Sequence, residues 1–562
     1  KENIENIGGN IVATNNVSIY SENGDIKNSK KLSIHENDYH NVYTDVRGSG
    51  DIVGNKISIV ANNVENLGAD IKAQDKIQIG ARKNLVIGNL EAVDKKVKNG
   101  GKDFVLDEKK TNVGSNLKAK DISLTSLGNI GITGSNVVAD NKMNIGAKGD
   151  ISIVAGKDSI LHEERHSKSK GFGRSSSEES VAYATRNVAS NIIGDKVNIT
   201  SGKDISLLGS NIQANIKGQI KADGNITQAG VKDINYSYHK KTKTGFMGLT
   251  SKSVTDENYA EKAILSATLA GDKGLTYDSK NNLLLEGVKV VSSGNINLKG
   301  KNVEINPLAT KSYNKHEEVK KGFSGSFSPK GISVSYGKDK LDSKTDIVNQ
   351  TASQIVSNKD INIEATNKVK AKSVDIYAKN DINISGDNGV EISTDTLVAI
   401  RNNKNVITGE EGKKLANSIP MDRREYHTLE WYVTGSAANE KVIGGIRASF
   451  TNSIYQSFDL KNDRAVKYTA ITTSIGGGNS DVSVGIGLGL YLSDSPEEIS
   501  KLTISHGGSI EILKTVSIGM DFLSENKERQ NFLQKLSNVK GVRLYIGKSI
   551  PISSDSLLEK FL

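Results

Sequence analysis

The residues best suited to acid–base chemistry lie near the start of the last quarter of the chain. They are Arg424, His427 and Glu430, and His506 is the second histidine of the same region. Cleavage of a phosphodiester needs a general base, a general acid and a cation near the phosphate. We therefore predict these four residues as catalytic candidates. The competing interpretation is an exposed, charged first strand, and no known nuclease, deaminase or protease motif separates the two.

Two histidines earlier in the chain, His162 and His166, flank the acidic residues Glu163 and Glu164. A pair of histidines four residues apart can hold zinc when it lies on a helix. A loop context and the lack of a further acidic ligand nearby argue against that reading, so we predict no metal site. The sequence contains no cysteine, which excludes disulfides, thiolate zinc sites and a cysteine nucleophile. No cofactor is predicted.

The bulk composition favours a repetitive, narrow core. The 562 residues include 55 Gly but only 5 Pro and 1 Trp, too few large side chains for several conventional cores. The net charge of +9 comes from 74 basic residues interspersed with 65 acidic ones, so we predict a solvated surface and no stable nucleic-acid binding. No apolar run reaches the length of a transmembrane helix. Because repeat-like sequence begins almost at Lys1, we expect a piece of a longer protein.

Short triplets of apolar, small polar and apolar residues recur through the first 400 residues. Alternation of period two indicates β-strands with one buried face. Gly, Asn and Asp between the triplets tolerate left-handed backbone and turn the corners. The triplets are Ile57-Ser58-Ile59, Ile77-Gln78-Ile79, Ile122-Ser123-Leu124, Ile151-Ser152-Ile153, Val197-Asn198-Ile199, Ile361-Asn362-Ile363 and Ile382-Asn383-Ile384.

The spacing of these triplets predicts a β-solenoid. Ile57 precedes Ile77, and Asn116 precedes Asn136, by about twenty residues, the length of one triangular coil. Each strand would then pair in parallel with its equivalent one coil away. Isoleucine would lie above isoleucine in the core and asparagine above asparagine at the corners.

A longer period of about 75 residues is marked by a motif that begins with histidine and ends in Gly-Phe followed by glycine. Its copies span His166–Gly173, His239–Gly248 and His316–Gly325. We predict excursions from the solenoid that contain these copies, near 162–190, 236–282 and 310–356, and a smaller one near 90–112. The remaining residues would form some 13 coils and a rod of about 60 Å.

The residues Ala155-Gly156-Lys157-Asp158-Ser159-Ile160, followed by a Ser/Lys-rich stretch and Gly171-Phe172-Gly173, resemble the haemagglutinin repeats of filamentous haemagglutinin and of contact-dependent inhibition effectors. The resemblance covers about residues 1–400 and implies a right-handed parallel β-helix. It further implies a secreted, cell-surface adhesin exported by a two-partner secretion transporter in the outer membrane. A host or bacterial cell-surface receptor is an implied partner, and an immunity protein would accompany a toxin. The family's secretion domain would lie upstream of Lys1.

The composition changes after about residue 400. We predict a β-helix stalk over 1–400, a linker over 401–420 and a compact β-rich (α+β) domain over 421–562. Three of the five prolines, the Trp and longer strand signals lie in the last part, with one helix expected from Ser524 to Leu536.

Three functional hypotheses remain open. The first is an adhesin whose stalk presents binding loops. The second is a toxin carrier whose last domain is a nuclease or membrane-active effector, although the family's Val-Glu-Asn-Asn boundary motif is missing between residues 400 and 425. The third is a polysaccharide-active β-helix enzyme, which would need acidic side chains from adjacent coils in one groove.

Overall fold

The protein was studied as a computed structural model. The structure describes the backbone of residues 2–328, 331–393, 402–408, 428–443, 446–459, 464–476, 481–491, 502–513, 516–525 and 539–551, and the side chains of residues 2–323 and 336–393. Every statement below about side chains refers to the latter two ranges.

Short parallel strands wind into the predicted β-helix. Apolar side chains point inward on each strand and polar ones outward, so the alternation in the sequence becomes a buried and a solvated face. The strands are Ile4–Ile7, Ile11–Val12, Asn16–Tyr20, Ile26–Ser29, Ile52–Ala61, Val64–Leu67, Asp70–Ala81, Leu85–Gly88, Asn116–Ser126, Ile130–Thr133, Asn136–Ala147, Ile151–Val154, Asn191–Ser201, Ile205–Leu208, Asn211–Ala222, Ile226–Ala229, Ser266–Ala270, Leu275–Ser279, Asn282–Glu286, Val288–Ser292, Ile296–Asn306, Ser353–Ser357, Ile361–Lys372, Val374–Ala378, Ile382–Gly386 and Val390–Ser393.

The coil repeat of about twenty residues is confirmed. Ile57 pairs in parallel with Ile77, and Asn116 with Asn136. On one side of the helix, eleven parallel pairings link twelve strands, from Ile4–Ile7 to Val390–Ser393. At the usual strand spacing this stack is about 50 Å long, slightly shorter than the predicted rod.

The core consists of columns of stacked aliphatic side chains. Ile59, Ile79 and Leu124 follow one another along one column, and each is at most 1% exposed. One coil breaks this pattern, because the same column later carries Tyr277 and two other columns carry Gln228 and Thr268. These three buried polar side chains hydrogen bond to one another, which offsets their removal from water.

Asparagine ladders hold the corners, as the sequence predicts. Asn136 Nδ2 donates to Asn116 Oδ1 over 2.9 Å, and Asn191 Nδ2 donates to Asn136 Oδ1 over 2.7 Å. Asn211 continues the ladder, and Asp70 accepts from Asn116 at its other end. Asn136 and Asn191 thus each donate a hydrogen bond to the asparagine one coil before and accept one from the asparagine one coil after. This explains why asparagine recurs once per coil at this corner.

The excursions are β-hairpins rather than irregular loops. We number them first to fifth in chain order. Their strands are Lys31–Glu36 with Val42–Arg47, Leu90–Asn99 with Asp103–Val113, Gly156–Lys170 with Arg174–Val188, Val231–Thr244 with Ser251–Ile264, and Leu308–Ser328 with Gly331–Thr351.

The predicted set of excursions requires two corrections. The first hairpin was not predicted, because its turn contains Asp38 and Tyr39 instead of the recurring Gly-Phe motif. The predicted excursion over 236–282 is too long, because the strands Ser266–Ala270 and Leu275–Ser279 already lie in the helix. Thr268 and Tyr277 interrupt the aliphatic pattern there, which hides these two strands from a search for apolar triplets.

Successive hairpins pair edge to edge in one antiparallel sheet, the hairpin sheet. The second hairpin pairs with the third through Asp103–Lys110, the third with the fourth through Ser175–Ala184, and the fourth with the fifth through Ser251–Ala260. A lone hairpin would leave both outer edges without hydrogen-bond partners. Lateral pairing satisfies these backbone groups, and it places residues from different hairpins at fixed positions relative to one another.

The sheet continues into the last part of the chain. The strand Asn402–Thr408, at the start of the predicted linker, pairs with both Gly331–Thr351 and Arg464–Gly476. The remaining strands are Thr428–Ile443, Ile446–Asp459, Asp481–Tyr491, Leu502–Leu513, Val516–Glu525 and Val539–Pro551. Of the predicted helix, Ser524 and Glu525 end a strand, and 526–536 lies outside the described residues. The division at 400 and 420 stays a prediction.

Candidate binding surface at the hairpin tips

The four predicted catalytic residues remain untested by the structure. Arg424 and His427 lie outside the described residues, and for Glu430 and His506 only the backbone is described. Glu430 pairs with Gly489, and His506 pairs with Phe522, on strands separated by further strands of the same sheet. Four strand spacings lie between these two positions, or about 19 Å along the sheet. The catalytic assignment therefore stays a prediction.

His162 and His166 lie on a β-strand and do not form a zinc motif. In a strand, residues four apart are separated by about 13 Å, too far for two imidazoles to bind one ion. Their ring nitrogens are already occupied by carboxylates: His162 Nδ1 lies 2.7 Å from Asp107 and His166 Nδ1 lies 2.8 Å from Asp103. Within the described side chains, no group of acidic residues and histidines has the geometry of a metal site.

The recurring Gly-Phe motif forms the turns of the third and fourth hairpins. Phe172 occupies the turn of the third hairpin with φ of 60°, and Met247 occupies the turn of the fourth with φ of 51°. Left-handed backbone costs a bulky residue about 1–2 kcal/mol, and glycine would adopt it freely. The chain therefore carries apolar side chains at two positions where the backbone alone would favour glycine.

The two turns touch each other. The rings of Phe172 and Phe246 lie 6.1 Å apart, and the Met247 backbone N–H donates to the Phe172 carbonyl oxygen over 2.9 Å. A side chain at Gly173 would collide with the Met247 backbone, and Gly173 has φ of 72°. Glycine at this position is therefore what lets the two turns approach.

The side chains at these turns are unusually exposed for apolar residues. Phe172 is 81% exposed and Met247 is 68% exposed. The fifth hairpin extends the patch, since its Gly322 lies against Thr250 of the fourth turn. We call the exposed apolar side chains of these three hairpins that lie level with the two turns the tip cluster: Phe172, Phe246, Met247, Leu249, Phe323 and Tyr336.

Cationic side chains line the tip cluster. Lys243, Lys252 and Lys320 stand directly opposite one another on three adjacent strands, and Lys170 stands opposite Arg174. Like charges directly opposite each other in a sheet destabilise it. This arrangement therefore costs stability in the isolated protein, and an anionic partner would relieve the repulsion.

One carboxylate offsets part of this charge. Glu318 Oε1 lies 2.7 Å from Lys320 Nζ and 3.0 Å from Lys252 Nζ, and these hydrogen bonds hold its pKa below the usual range. The surface that results is apolar at its centre and positive at its margin. Such a surface suits a partner that is itself amphipathic and negatively charged.

Comparison with known proteins places this architecture in a family. The family model described as "Hemagglutinin repeat" matches residues 97–245, 171–321 and 332–409, which together make up more than half of the chain. The chain belongs to the hemagglutinin repeat family. The third and fourth hairpins lie within the matched repeats, and the β-helix is a filamentous haemagglutinin-like stalk.

A curated relative of this hemagglutinin-repeat chain is the "tRNA nuclease CdiA-2" of Burkholderia pseudomallei (strain 1026b). It is 23% identical over 485 residues, an alignment that takes in 62% of this chain and 13% of the relative. The chain thus corresponds to a small part of that protein. No solved structure gives a significant match.

Sequence reasoning found the Gly-Phe motif but not the surface that it makes. The three copies lie about 75 residues apart, and only lateral pairing of the hairpins brings Phe172 beside Phe246. The signal available in the sequence was the motif's constant position in the repeat, since turns of equally placed hairpins meet once the hairpins pair. Among the described residues, no helix has the length and apolar character needed to span a bilayer.

Proposed function

We propose that this chain is the stalk region of a secreted, surface-exposed hemagglutinin-repeat protein, and that its tip cluster binds the surface of another cell. The observation that carries the proposal is the set of six exposed apolar side chains on adjoining hairpin tips, two of them held at positive φ. Exposed apolar patches of this kind mark interaction sites. Family membership supports secretion through a two-partner transporter in the outer membrane.

The energetics are compatible with adhesion. Burial of one phenylalanine side chain contributes about 1.5–3 kcal/mol, so several tip residues acting together give useful affinity even when each contact is weak. Long-range attraction by the lysines and Arg174 would steer an anionic surface toward the tips and weaken as salt screens the charges.

The test measures binding of the fluorescently labelled full chain to bacterial and epithelial cells by flow cytometry. The double variant Phe172→Ser and Met247→Ser removes the two most exposed tip side chains, and we expect it to lower affinity about tenfold or more. The matched control is Tyr39→Ser, which removes a 76% exposed aromatic from the turn of the first hairpin, outside the tip cluster.

Unchanged binding by the double variant would overturn the proposal. So would an equal loss in the Tyr39→Ser control, because binding would then depend on exposed aromatics in general. A receptor that recognises only the faces of the β-helix would leave binding by the double variant unchanged.

A second candidate function is that of a toxin carrier with the effector at its C-terminal end. The observation that favours it is the tRNA nuclease named among the relatives, although the alignment takes in a small share of that protein. An effector would require an immunity protein as partner. His427, His506, Arg424 and Glu430 are then the candidate catalytic residues.

Controlled expression of the full chain inside a bacterium tests this second function. Growth arrest that His427→Ala or His506→Ala abolishes would identify a toxin. Normal growth with soluble, folded protein would leave the adhesive stalk as the function of the chain.

A further inference from the structure

The histidine of the 75-residue motif lies at the junctions between hairpins, away from the Gly-Phe turns. His166 Nδ1 lies 2.8 Å from Asp103 Oδ1 of the second hairpin. His239 Nε2 of the fourth hairpin lies 2.9 Å from Glu178 Oε1 of the third. The motif histidine of each hairpin therefore reaches a carboxylate of the hairpin before it.

The junction of the fourth and fifth hairpins follows the same rule. His316 Nδ1 of the fifth hairpin lies 2.6 Å from Asp256 Oδ1 of the fourth. At the junction of the second and third hairpins a further pair joins His162 Nδ1 to Asp107 Oδ1 over 2.7 Å. The histidine always lies on the outgoing strand of the later hairpin, and the carboxylate always lies on the returning strand of the earlier one.

The position of these pairs matters because a junction has no covalent turn near the tips. The two strands of one hairpin are joined by their own turn, whereas neighbouring hairpins meet only through backbone hydrogen bonds and side chains. Across each junction the hairpin sheet therefore has no covalent link close to the tips. The histidine pairs lie on one face of the sheet and bridge each of these three junctions.

The groups that face the histidines are mostly acidic. His166 stands opposite Glu178 on its other side and also contacts Glu164 of its own strand. His162 stands opposite the uncharged Ala182, and its Nε2 lies 3.7 Å from Glu164 Oε2.

The later junctions have similar surroundings. His239 stands opposite Asp256, and it shares Glu178 with Lys241, whose hydrogen bond contributes most to lowering the pKa of Glu178 to about 2. His316 stands opposite Ser343.

Basic groups are present at the margins of these clusters. Lys96 stands opposite Asp107, and Lys168 lies two residues beyond His166 on the same strand. On the strand of His316, Glu318 forms ion pairs with Lys252 and Lys320. None of the four histidines pairs with this carboxylate.

We propose that the pairs of His162 with Asp107 and His166 with Asp103 form a pH-sensitive clasp: protonation of the two histidines tightens the junction of the second and third hairpins, and deprotonation loosens it. An imidazolium forms a charge-assisted hydrogen bond with a carboxylate, whereas a neutral imidazole forms only an ordinary one. Loosening this junction lets the second and third hairpins separate near their tips.

The direction of the effect follows from two of the histidines. The hydrogen bond to Asp107 raises the pKa of His162, and hydrogen bonds to Glu164 and then Asp103 raise the pKa of His166. A histidine whose folded pKa is raised stabilises the fold fully below its unfolded pKa, about 6.5. That stabilisation is lost as the pH rises through the higher folded pKa, so the clasp is tight in mild acid and loosens toward mildly alkaline pH.

Hydrogen exchange of the full chain at pH 5.5 and pH 8.0, corrected for the intrinsic exchange rate, tests the clasp at the junction of the second and third hairpins. In the unmodified protein we expect amides of 159–166 and 103–110 to be about threefold or more better protected at pH 5.5. The double variant His162→Gln and His166→Gln should lose this difference, while protection at the junction of the third and fourth hairpins should stay as it is in the unmodified protein.

Two controls separate the clasp from general effects of substitution. His35→Gln changes a histidine of the first hairpin, whose ring stacks on Tyr43, and it should leave the pH difference intact. The double variant Asp103→Asn and Asp107→Asn should abolish the difference from the carboxylate side. Equal protection at both pH values in the unmodified protein, or an unchanged difference in both double variants, would overturn the proposal.

Discussion

Tyr183 stands directly opposite Tyr236, although the two residues belong to different hairpins. The row continues with Tyr259 and Tyr313, whose rings stack with centroids 5.4 Å apart. Directly opposed residues in an antiparallel sheet point to the same face, so the four tyrosines form one band across the third, fourth and fifth hairpins. The band shows that the hairpins share one register.

Substitution of Phe172 by glycine separates binding from folding. Glycine adopts the positive φ at this turn without strain, so we expect the free energy of unfolding to change by less than about 1 kcal/mol. Cell binding should fall, because an 81% exposed ring is removed from the tip cluster. Denaturant melts and flow cytometry on the same preparation measure both effects. A large loss of stability with intact binding would show that the ring serves the fold instead.

Replacement of Tyr277 by phenylalanine tests the polar layer in the helix core. The buried hydroxyl donates to Gln228 Oε1 and lies 2.8 Å from Thr268 Oγ1, and burial raises its pKa. Its loss should lower the free energy of unfolding by about 1–2 kcal/mol. Tyr39→Phe, at an exposed turn, is the control and should have no effect. Denaturation midpoints that stay equal for both variants would contradict a stabilising role for the layer.

The substitution Asn191→Asp tests the asparagine ladder. Asn191 Nδ2 donates to Asn136 Oδ1 over 2.7 Å, whereas an ionised aspartate has no proton to donate and places negative charge against that oxygen. We expect a loss of about 1–3 kcal/mol at pH 7 that becomes smaller at pH 3, where the carboxyl is protonated.

The control for this ladder variant is Asn99→Asp. The Asn99 side-chain oxygen accepts a hydrogen bond from the Gly101 N–H at a hairpin turn, and an aspartate can accept the same bond. Thermal melts of both variants at the two pH values provide the comparison. Equal destabilisation of the two variants at pH 7 would contradict a stabilising role for the asparagine ladder.

The β-helix could be predicted from the sequence because its rules are local. Ile57 and Ile77 repeat at the coil length, and each strand pairs only with its neighbours one coil away. The polar layer was hidden for the same reason, since Thr268 and Tyr277 break the local pattern that identified the other strands. Hydrogen bonding to Gln228 is what makes their burial possible.

The binding surface could not be predicted in the same way. Phe172 and Phe246 belong to separate copies of the motif, and their contact depends on how two hairpins line up side by side. Register between hairpins follows from backbone pairing and from side-chain pairs such as His239 with Glu178, and the sequence alone does not show which histidine faces which carboxylate. The histidine in the motif was visible, but its carboxylate partners lie in the preceding repeat.

The tip cluster and the histidine junctions both require that the hairpins form one sheet, and a disulfide between two hairpins tests this directly. Because the chain has no cysteine, Ala182→Cys with Ser237→Cys gives a single pair, on directly opposed residues of the third and fourth hairpins. If the hairpins form one sheet, we expect rapid, nearly complete cross-linking under mild oxidation, since the Cβ atoms of directly opposed residues lie about 4.5–5.5 Å apart. Ala182→Cys with Lys240→Cys places the thiols on opposite faces and should stay reduced. Equal cross-linking of both pairs, or of neither, would contradict the account.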